Sequence, residues 1–317
     1  MRSAVAHPGP GLLLEVGQYS DRGQKRANNE DWLGAFQPTS SAELLARGSL
    51  FLVADGMGGH QSGELASRRA VDQVIRHFAH DSTRDAAACL RNAVESANEV
   101  LVREAGDGPP GTRWGTTLVA ALVRGNELWI ANVGDSRAYL LRNDRLRQIS
   151  VDHTLGGERG AALGENWVGR HVVTRALGTR PHVEVDVHGP LVLGRPDRVV
   201  LCTDGLTGTL TDQEIGAIAG GFAPQEAATR LVHAANQKGA ADNVSAIVIK
   251  VGEAGAWHAR VGDLLALLSH RGGTDEMWRA LRADRQLLAI LVGALLLAIM
   301  VITGLGFAIG LLVWGNV

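Results

Sequence analysis

Cysteine is scarce in this chain, and its scarcity excludes a fold held together by disulfides. The 317 residues contain Cys89 and Cys202 alone. Cys202 lies in a strand-like apolar run and Cys89 in a helix-like one, so both are expected to be small core residues in a reducing compartment. Because 45% of the residues are apolar, a substantial core can form without covalent cross-links.

An excess of charge of either sign is also missing. Lysine and arginine total 31 against 33 aspartates and glutamates, which gives a formal net charge of −2. Proteins that follow a nucleic-acid backbone usually carry a basic excess, so no nucleic-acid partner is expected. The first twenty residues lack a charged start followed by a long apolar stretch, and no signal peptide is predicted.

Charge disappears completely from one long segment near the C-terminus. No residue of 287–314 is charged, and an apolar run longer than about 18 residues predicts a transmembrane helix. We assign 286–314 to this helix, 252–285 to a juxtamembrane linker and 315–317 to a short tail. The linker is rich in arginine just before the helix: Arg271, Arg279, Arg282 and Arg285. The positive-inside rule therefore predicts a single-pass membrane protein whose preceding domain is cytoplasmic.

The remaining residues are organised as one mixed domain, 12–251, after an N-terminal tail, 1–11. Helical periodicity covers 63–80 and 84–105, and Thr211-Asp212-Gln213-Glu214 predicts a capping box that opens a further helix. Asn143-Asp144 marks a hairpin turn between strand-like runs. Strands joined by hairpins form antiparallel sheets rather than alternating βαβ units. The glycine-rich segment 152–171 is predicted to be an exposed, mobile loop.

Four strand-like apolar runs in this domain each end or begin at an aspartate beside a small or polar residue. These aspartates are Asp55, Asp135, Asp204 and Asp242. A strand holds a carboxylate with little freedom, and an adjacent glycine lets a backbone carbonyl approach the same ligand. We call these four aspartates the acidic tips. If they lie close together in the fold, they form a pocket with only oxygen ligands, which favours Mg²⁺ or Mn²⁺ over zinc.

A second cluster, Arg26 to Asp31, adds the groups that phosphate chemistry needs. Glu30 and Asp31 contribute two more carboxylates, and the Arg26 guanidinium is suited to clamp a phosphate dianion. Two divalent ions that share a carboxylate can hold a bridging water that attacks phosphorus in line. The residues therefore predict a metal-dependent enzyme acting on phosphate esters.

The order of these motifs resembles the type 2C protein phosphatases, the PPM family, in its bacterial branch. The resemblance covers about residues 16–251 and is carried by the segments 20–23, 26–31, 55–59, 115–117, 132–137, 174–178, 203–205 and 241–244. It implies an α+β fold in which a central antiparallel β-sandwich is flanked by helices, four layers in the order α-β-β-α. It also implies hydrolysis of phosphoserine and phosphothreonine in proteins with two Mn²⁺ or Mg²⁺ ions.

The resemblance assigns a role to each acidic position. Asp55 matches the carboxylate that bridges both ions, with the Gly56 carbonyl on the second ion. Asp204 and Asp242 match the other ligands of the first ion. Asp135, together with Asp204, matches the position where bacterial members can hold a third ion.

The cluster near the N-terminus receives roles in the same way. Glu30 matches the acidic group that serves the second ion, Asp31 the residue that orients metal-bound water, and Arg26 the phosphate-binding arginine. Asn243 is expected to order the Asp242 loop. The segment 152–171 corresponds to the flap that bacterial members carry over the cleft.

One departure concerns the proton donor. Eukaryotic relatives carry a histidine directly after the bridging Asp-Gly pair, and this chain has Met57 there. Leaving-group protonation must then come from metal-bound water or from another group, and His60 and His153 are the side chains weighed as general acids. The simpler interpretations are an exposed polar residue for His60 and a loop hydrogen bond for His153.

Three functions are weighed for the chain. The first is a membrane-tethered serine/threonine phosphoprotein phosphatase, with a serine/threonine kinase or its targets among its partners. The second is a pseudophosphatase that binds phosphoproteins, whose signature would be the loss of a metal carboxylate. The third is a metal-dependent nuclease or small-molecule phosphatase, which the charge balance disfavours as a nuclease.

Overall fold

The fold is an antiparallel β-sandwich with helices on both outer faces, seen here in a computed structural model that describes residues 5–6, 12–58, 61–105, 114–159, 169 and 171–253. These residues lie in the first of two units, Met1–Glu253, into which the chain divides. The strands are β1 Val5–Ala6, β2 Leu12–Asp21, β3 Asp31–Phe36, β4 Ser49–Met57, β5 Gly115–Thr116, β6 Leu118–Arg124, β7 Glu127–Val133, β8 Arg137–Arg142, β9 Arg145–Gln148, β10 Asp186–Val192, β11 Arg198–Cys202 and β12 Val244–Glu253. The helices are α1 Ser41–Arg47, α2 Gln61–His80, α3 Ala86–Ala105, α4 Leu155–Arg159, α5 Asp204–Thr207, α6 Asp212–Gly221 and α7 Pro224–Gln237.

Two antiparallel sheets build the sandwich. The first has the order β1-β2-β12-β11-β8-β9, and the second has the order β10-β7-β6-β4-β3, with β5 paired to β4. Strand β4 shows how the layers form, since its side chains alternate between two cores. Phe51 and Val53 face the core between the sheets, whereas Leu50 and Leu52 face the core under α2 and α3.

A third core closes the opposite face. Leu231 and Val232 of α7 pack with Val200 of β11 and Val248 of β12, and residues of α6 join the same cluster. The order of layers is therefore helices, sheet, sheet, helices. The predicted α+β fold with antiparallel sheets and flanking helices is confirmed.

Several local predictions are confirmed as well. Helix α6 begins at a capping box in which Thr211 and Glu214 bond to each other's backbone N–H. Asn143 and Asp144 both have positive φ, 51° and 57°, as a two-residue type I′ hairpin turn requires. Helices α2 and α3 end at His80 and Ala105, as the periodicity predicts.

Strands β1 and β10 and helix α1 are among the elements that were not predicted from the sequence. Strand β1 lies inside the predicted N-terminal tail, and α1 is a seven-residue helix capped by Ser40. Strand β10 carries Gly189-Pro190 in its middle, and its register with β7 shifts between His188 and Leu191. This bulge breaks the two-residue period by which strands are identified.

The prediction of an exposed, mobile loop at 152–171 is wrong for its first residues. His153 is only 1% exposed, Thr154 forms a bridge with Val173, and Leu155–Arg159 is helical. These residues are held by contacts that the sequence does not reveal: both carboxylate oxygens of Asp152 accept from Arg137 at 2.7 to 3.0 Å, and His153 bonds to Gly134. Residues 160–168 and 170 lie outside the described residues.

The predicted transmembrane segment, 286–314, lies outside the described residues, as does the linker from residue 254 onward. Within the described ranges, no helix combines the length and the apolar character needed to cross a bilayer.

Candidate active site

The acidic tips gather at one end of the sandwich. Asp55 lies near the end of β4 and is paired in register with Asp31 of β3. Asp204 opens α5 directly after β11, and Asp242 precedes β12, the neighbour of β11. Asp135 follows β7. The charges of Asp31, Asp204, Asp242 and Asp135 all reach Asp55, where each raises its pKa.

Burial and mutual repulsion make these carboxyl groups weak acids. Burial raises the pKa of Asp55 well above its usual value, and the four neighbouring carboxylates raise it further. Burial, followed by Asp204 and Asp152, raises the pKa of Asp135 to about 7. Burial and Asp242 raise the pKa of Asp204, while a hydrogen bond with Asp55 opposes the increase. Such a cluster holds protons near neutral pH unless positive charge enters it.

Asp31 is the most deeply set of these groups. Burial raises its pKa to about 7, although hydrogen bonds from Ser245 and Thr203 act in the opposite direction. Both bonds end on Oδ2, from Ser245 Oγ at 2.7 Å and from Thr203 Oγ1 at 2.9 Å. The other oxygen, Oδ1, is buried without a hydrogen-bond partner.

The chemistry of these groups fits a divalent cation, although their side chains do not converge on a single ion position. Asp31 Oδ1 and Asp204 Oδ1 are both buried and unpartnered, and buried oxygens of this kind normally have a partner. The set contains only oxygen donors, as Mg²⁺ and Mn²⁺ prefer. Among the described residues, no three His, Cys, Asp or Glu side chains are placed so as to hold an ion. Asp242 instead pairs with Arg26, at 2.7 Å from Nη2 to Oδ2.

Arg26, the predicted phosphate clamp, lies at the edge of the acidic cluster. Its side chain is about half exposed. The hydrogen bond to Asp242 raises the pKa of Arg26, burial opposes this, and the charges of Asp242, Glu30 and Asp55 add to the increase. The arginine is therefore held beside the carboxylates by the field of the cluster itself.

Asn243 connects the two acidic segments. Its Oδ1 accepts from the Glu30 N–H at 2.8 Å, and its Nδ2 donates to the carbonyls of Arg22 and Asn28 at 2.9 Å. Its own N–H donates to Asp242 Oδ1 at 2.8 Å. The residue predicted to order the Asp242 loop therefore also fixes the segment that carries Arg26 and Glu30.

Thr117 connects Asp55 with the Asp135 turn. Its Oγ1 accepts from the Asp55 N–H at 3.0 Å and lies 2.7 Å from Ser136 Oγ. Its N–H donates to the Asp55 carbonyl at 2.9 Å. A single buried threonine thus holds one acidic tip and the residue that follows another.

Two glycines permit the close approach of the backbone around the site. A Cβ on Gly56 would lie 2.1 Å from the Gly63 carbonyl oxygen and 2.7 Å from that of Glu30. A Cβ on Gly205 would lie 2.0 Å from the Asn243 carbonyl oxygen. These distances explain why glycine follows Asp55 and Asp204.

The histidines weighed as general acids have different outcomes. His153 is buried, with Nδ1 accepting from the Gly134 N–H at 3.1 Å and Nε2 lying 3.1 Å from Asp186. Its ring is therefore engaged in a structural hydrogen bond, the simpler of the two interpretations. His60 lies outside the described residues.

Sequence reasoning missed several residues of the site. Thr117, Thr203, Ser245 and Ser67 position the acidic backbone or side chains, and Ser67 Oγ donates to the Glu30 carbonyl at 2.6 Å. Exposed His171 is near enough for its charge to lower the pKa of Asp204, after the larger effects of burial, Asp242, Asp55 and Arg26. The sequence signals for this group are weak: Thr117 and Thr203 lie in the segments 115–117 and 203–205 that carry the resemblance, and Ser245 lies three residues after Asp242.

Comparisons with known proteins agree with this geometry. The family model for protein phosphatase 2C matches residues 18–158. The serine/threonine phosphatase stp of Listeria welshimeri is 34% identical over 242 residues, which are 73% of this chain and 93% of that protein. The serine/threonine protein phosphatase PstP of Mycobacterium tuberculosis is 35% identical over 250 residues, 76% of this chain and 45% of PstP.

Solved structures agree with the sequence relatives. The crystal structure of M. tuberculosis PstP/Ppp has a TM-score of 0.65 and 33% identity, covering 75% of this chain and 98% of that chain. The PstP catalytic domain in complex with two manganese ions has a TM-score of 0.64 and 33% identity, covering 76% and 99%. With this fold, this order of acidic tips and these identities, the chain belongs to the protein phosphatase 2C family, a family of serine/threonine phosphatases.

Proposed function

We propose that this chain hydrolyses phosphoserine and phosphothreonine in proteins, with Mn²⁺ or Mg²⁺ as cofactor. The observation that carries the proposal is the buried carboxyl cluster, in which Asp31 and Asp204 each keep an unpartnered oxygen. A cluster with such raised pKa values is costly for a protein to maintain unless cations compensate it. Among the relatives, the manganese complex of PstP supports the choice of metal.

The residues that would hold two ions are Asp55, the Gly56 carbonyl, Asp204, Asp242 and Glu30. Asp135 would serve a third ion. When bound, such ions supply a nucleophilic water of lowered pKa and polarise the phosphoryl oxygens.

The chain's own residues perform the remaining tasks. Asp31, held by Ser245 and Thr203 on one oxygen, presents the other oxygen as a fixed hydrogen-bond acceptor for a water in the cluster. Arg26 lies at the exposed edge, where its guanidinium can bind a phosphate dianion in a bidentate manner. Since Arg26 pairs with Asp242, we infer that phosphate and Asp242 compete for it.

Leaving-group protonation has no assigned side chain among the described residues. Met57 cannot donate a proton. His153 is engaged on both ring nitrogens. We propose that the proton comes from water in the acidic cluster.

The test uses the full-length chain in detergent with a phosphothreonine peptide and Mn²⁺. We expect turnover that Asp55→Asn and Asp204→Asn each abolish. Asp144→Asn, an isosteric change in the β8–β9 turn, is the matched control and should leave turnover unchanged. A folded, Mn²⁺-binding protein with no activity sensitive to these changes would refute the proposal. Phosphopeptide binding that survives a chelator would instead support the pseudophosphatase.

We further propose that the chain is anchored in a membrane by 286–314, with 12–251 on the cytoplasmic side. The support is the uncharged run 287–314 and the arginines that precede it. Confinement to a surface raises the effective concentration toward substrates on the same surface. The proposed partners are therefore phosphorylated proteins that include a membrane-bound kinase or its targets.

Cell fractionation tests the anchor. The full chain should sediment with membranes and resist extraction by salt and alkali, and a chain lacking 287–317 should not. Equal dephosphorylation of the same cellular proteins by both forms would contradict the proposed role of the anchor in substrate selection.

A further inference from the structure

The turn that carries Asp135 has a backbone conformation that must be held in place. Gly134 has a φ of +105°, and a Cβ on it would lie 2.6 Å from Cβ of Thr117. Its carbonyl accepts from the His153 N–H at 3.0 Å and from Asn132 Nδ2 at 3.2 Å. Its N–H donates to His153 Nδ1 at 3.1 Å. His153 therefore holds the two peptide groups that flank Gly134, one of which joins Gly134 to Asp135.

The orientation of the His153 ring is fixed from its other side. Because Nδ1 accepts a hydrogen bond, the neutral ring carries its proton on Nε2, which lies 3.1 Å from Asp186 Oδ2. Asp186 Oδ1 accepts from Arg175 at 3.0 Å. Asp186 begins β10 and is paired in register with Asn132 of β7, so the strand that ends just before Gly134 also positions the group that orients the ring.

The base of segment 152–171 is tied to the same histidine. The His153 carbonyl accepts from the Thr174 N–H at 2.8 Å, and Thr154 bridges Val173. His153 thus links three elements, namely the end of β7, the residues that follow the segment, and the start of β10.

We propose that His153 is a positioning residue for Asp135, acting through the hydrogen bond from the Gly134 N–H to Nδ1. The inference rests on the proposed function, since Asp135 is the residue proposed for the third ion. An orienting partner outside the ligand set commonly contributes about tenfold or more to metal affinity. Loss of this hydrogen bond should therefore weaken the third ion specifically.

Two substitutions separate the two ring nitrogens. In His153→Asn the side-chain amide occupies the position of Nδ1 and can still accept from Gly134. In His153→Gln it occupies the position of Nε2 and keeps only the contact with Asp186. Asp135→Asn removes the proposed ligand, and His182→Gln changes an exposed histidine as the matched control.

The measurement is Mn²⁺ binding to the full-length chain, followed by the loss of the EPR signal of free Mn²⁺, with phosphopeptide turnover at rising Mn²⁺ alongside. We expect Asp135→Asn to remove the weakest ion. His153→Gln should lower the affinity for that ion by about tenfold or more. The Mn²⁺ concentration needed for half-maximal turnover should rise by the same factor. His153→Asn and His182→Gln should stay within about twofold of the parent.

The proposal is overturned if folded His153→Gln binds the weakest ion with unchanged affinity, or if both His153 variants lose affinity for that ion equally. If His153→Gln does not fold, His153→Asn alone tests the proposal. A tenfold loss of affinity for the weakest ion in folded His153→Asn overturns it. Asp186→Asn provides a second route, because it leaves the hydrogen bond from the Gly134 N–H to Nδ1 in place and changes only the partner of Nε2. It should keep the same ion within about twofold of the parent, and a tenfold loss in the folded variant counts against the proposal. A parent that binds no Mn²⁺ would instead refute the proposed function, and an Asp135→Asn variant that keeps every ion would refute the assignment of Asp135.

Discussion

At the scale of single residues, the site depends on buried polar side chains that each join two acidic segments. Asn243 is the clearest case, because its amide makes three hydrogen bonds to the 22–30 segment while its backbone bonds to Asp242. Side chains of this kind fix the spacing of carboxylates without contributing a charge. Substitution of such a residue should therefore affect stability and catalysis together.

For Asn243→Ala we expect a loss of about 2–4 kcal/mol in the free energy of unfolding, at about 1 kcal/mol for each lost hydrogen bond and more for groups left unpaired. Turnover of a phosphopeptide should fall by about tenfold or more, since Glu30 and Arg26 lose their support. The control is Asn236→Ala on α7, which removes one hydrogen bond to Asp21 at the end of β2. It should cost about 1 kcal/mol and leave turnover unchanged. Urea denaturation and steady-state kinetics measure both quantities, and similar losses of turnover in the two variants would contradict the prediction.

Ser245→Ala should make Asp31 an even weaker acid. Burial already raises the pKa of Asp31 to about 7, and the hydrogen bond from Ser245 is the largest opposing effect. Without this bond, the midpoint pH for Mn²⁺ binding should rise by about one unit, since hydrogen bonds to charged groups contribute about 1.5–3 kcal/mol. Ser49→Ala removes a buried hydroxyl that has no partner at the far end of β4 and is the control. Calorimetric titrations between pH 5.5 and 8.5 measure the midpoint, and equal midpoints in parent and Ser245→Ala would refute the argument.

These residues also mark the limit of what the sequence can predict. Asp55, Asp204 and Asp242 are recognisable because each lies at the start or end of an apolar run, which is a local pattern. Thr117, Ser245 and His153 obtain their roles from partners 19 to 214 residues away. No periodicity reveals such pairs, and only the fold brings them together.

At the scale of elements, the site is formed where strand ends meet helix starts with no room for side chains. Helix α5 begins at Asp204 and passes Asn243 so closely that a Cβ on Gly205 would lie 2.0 Å from a carbonyl oxygen. The relation between β11, α5 and β12 thus sets the distance between Asp204 and Asp242. This packing is backbone against backbone, so it cannot relax by a change of rotamer.

Gly205→Ala should therefore be strongly disruptive. We expect a loss of about 2 kcal/mol or more in the free energy of unfolding, since overpacking costs about 1–3 kcal/mol and here displaces backbone. Gly221→Ala, at the end of α6, is the matched control, because nothing lies within 4 Å of its Cβ position. It should be neutral or stabilising by up to about 1 kcal/mol. Thermal unfolding of both variants provides the test, and equal melting temperatures would show that α5 can move.

The elements differ in how well the sequence reveals them. Helices α2 and α3 and the hairpin strands have strong periodicity or turn residues, and they are predicted. Strand β10 is not, because Gly189-Pro190 and the bulge after His188 disrupt its pattern. Yet β10 carries Asp186, which orients His153, so an element that the sequence hides contributes to the site.

At the scale of the whole molecule, the acidic cluster links stability to pH and to metal. Asp31 and Asp135 have pKa values of about 7 in the folded chain against 3.8 as the ordinary value, with burial as the main cause. Between these values the folded state binds more protons than the unfolded state, so the metal-free domain loses stability as pH rises. Glu214 has the opposite sign: hydrogen bonds from Lys238 and Thr211 lower its pKa to about 2. The stability that Glu214 contributes is lost only as the pH falls below about 4. It therefore does not change the pH dependence between pH 5 and pH 8.

The metal-free full-length chain should therefore melt at a higher temperature near pH 5 than near pH 8, with a slope of up to about 1.4 kcal/mol per pH unit for each titrating carboxyl group. Mn²⁺ binds the ionised carboxylates, so its stabilising effect should be large at pH 8 and small at pH 5. Asp135→Asn removes one of the groups with a raised pKa and should flatten the pH dependence without metal, whereas Asp144→Asn in the β8–β9 turn should not. Differential scanning calorimetry measures four curves of melting temperature against pH: the parent in chelator, the parent in Mn²⁺, and Asp135→Asn and Asp144→Asn in chelator. A melting temperature that increases steadily from pH 5 to pH 8 without metal would show that the carboxylates are already compensated within the protein, and the cluster would then have no need of a cation.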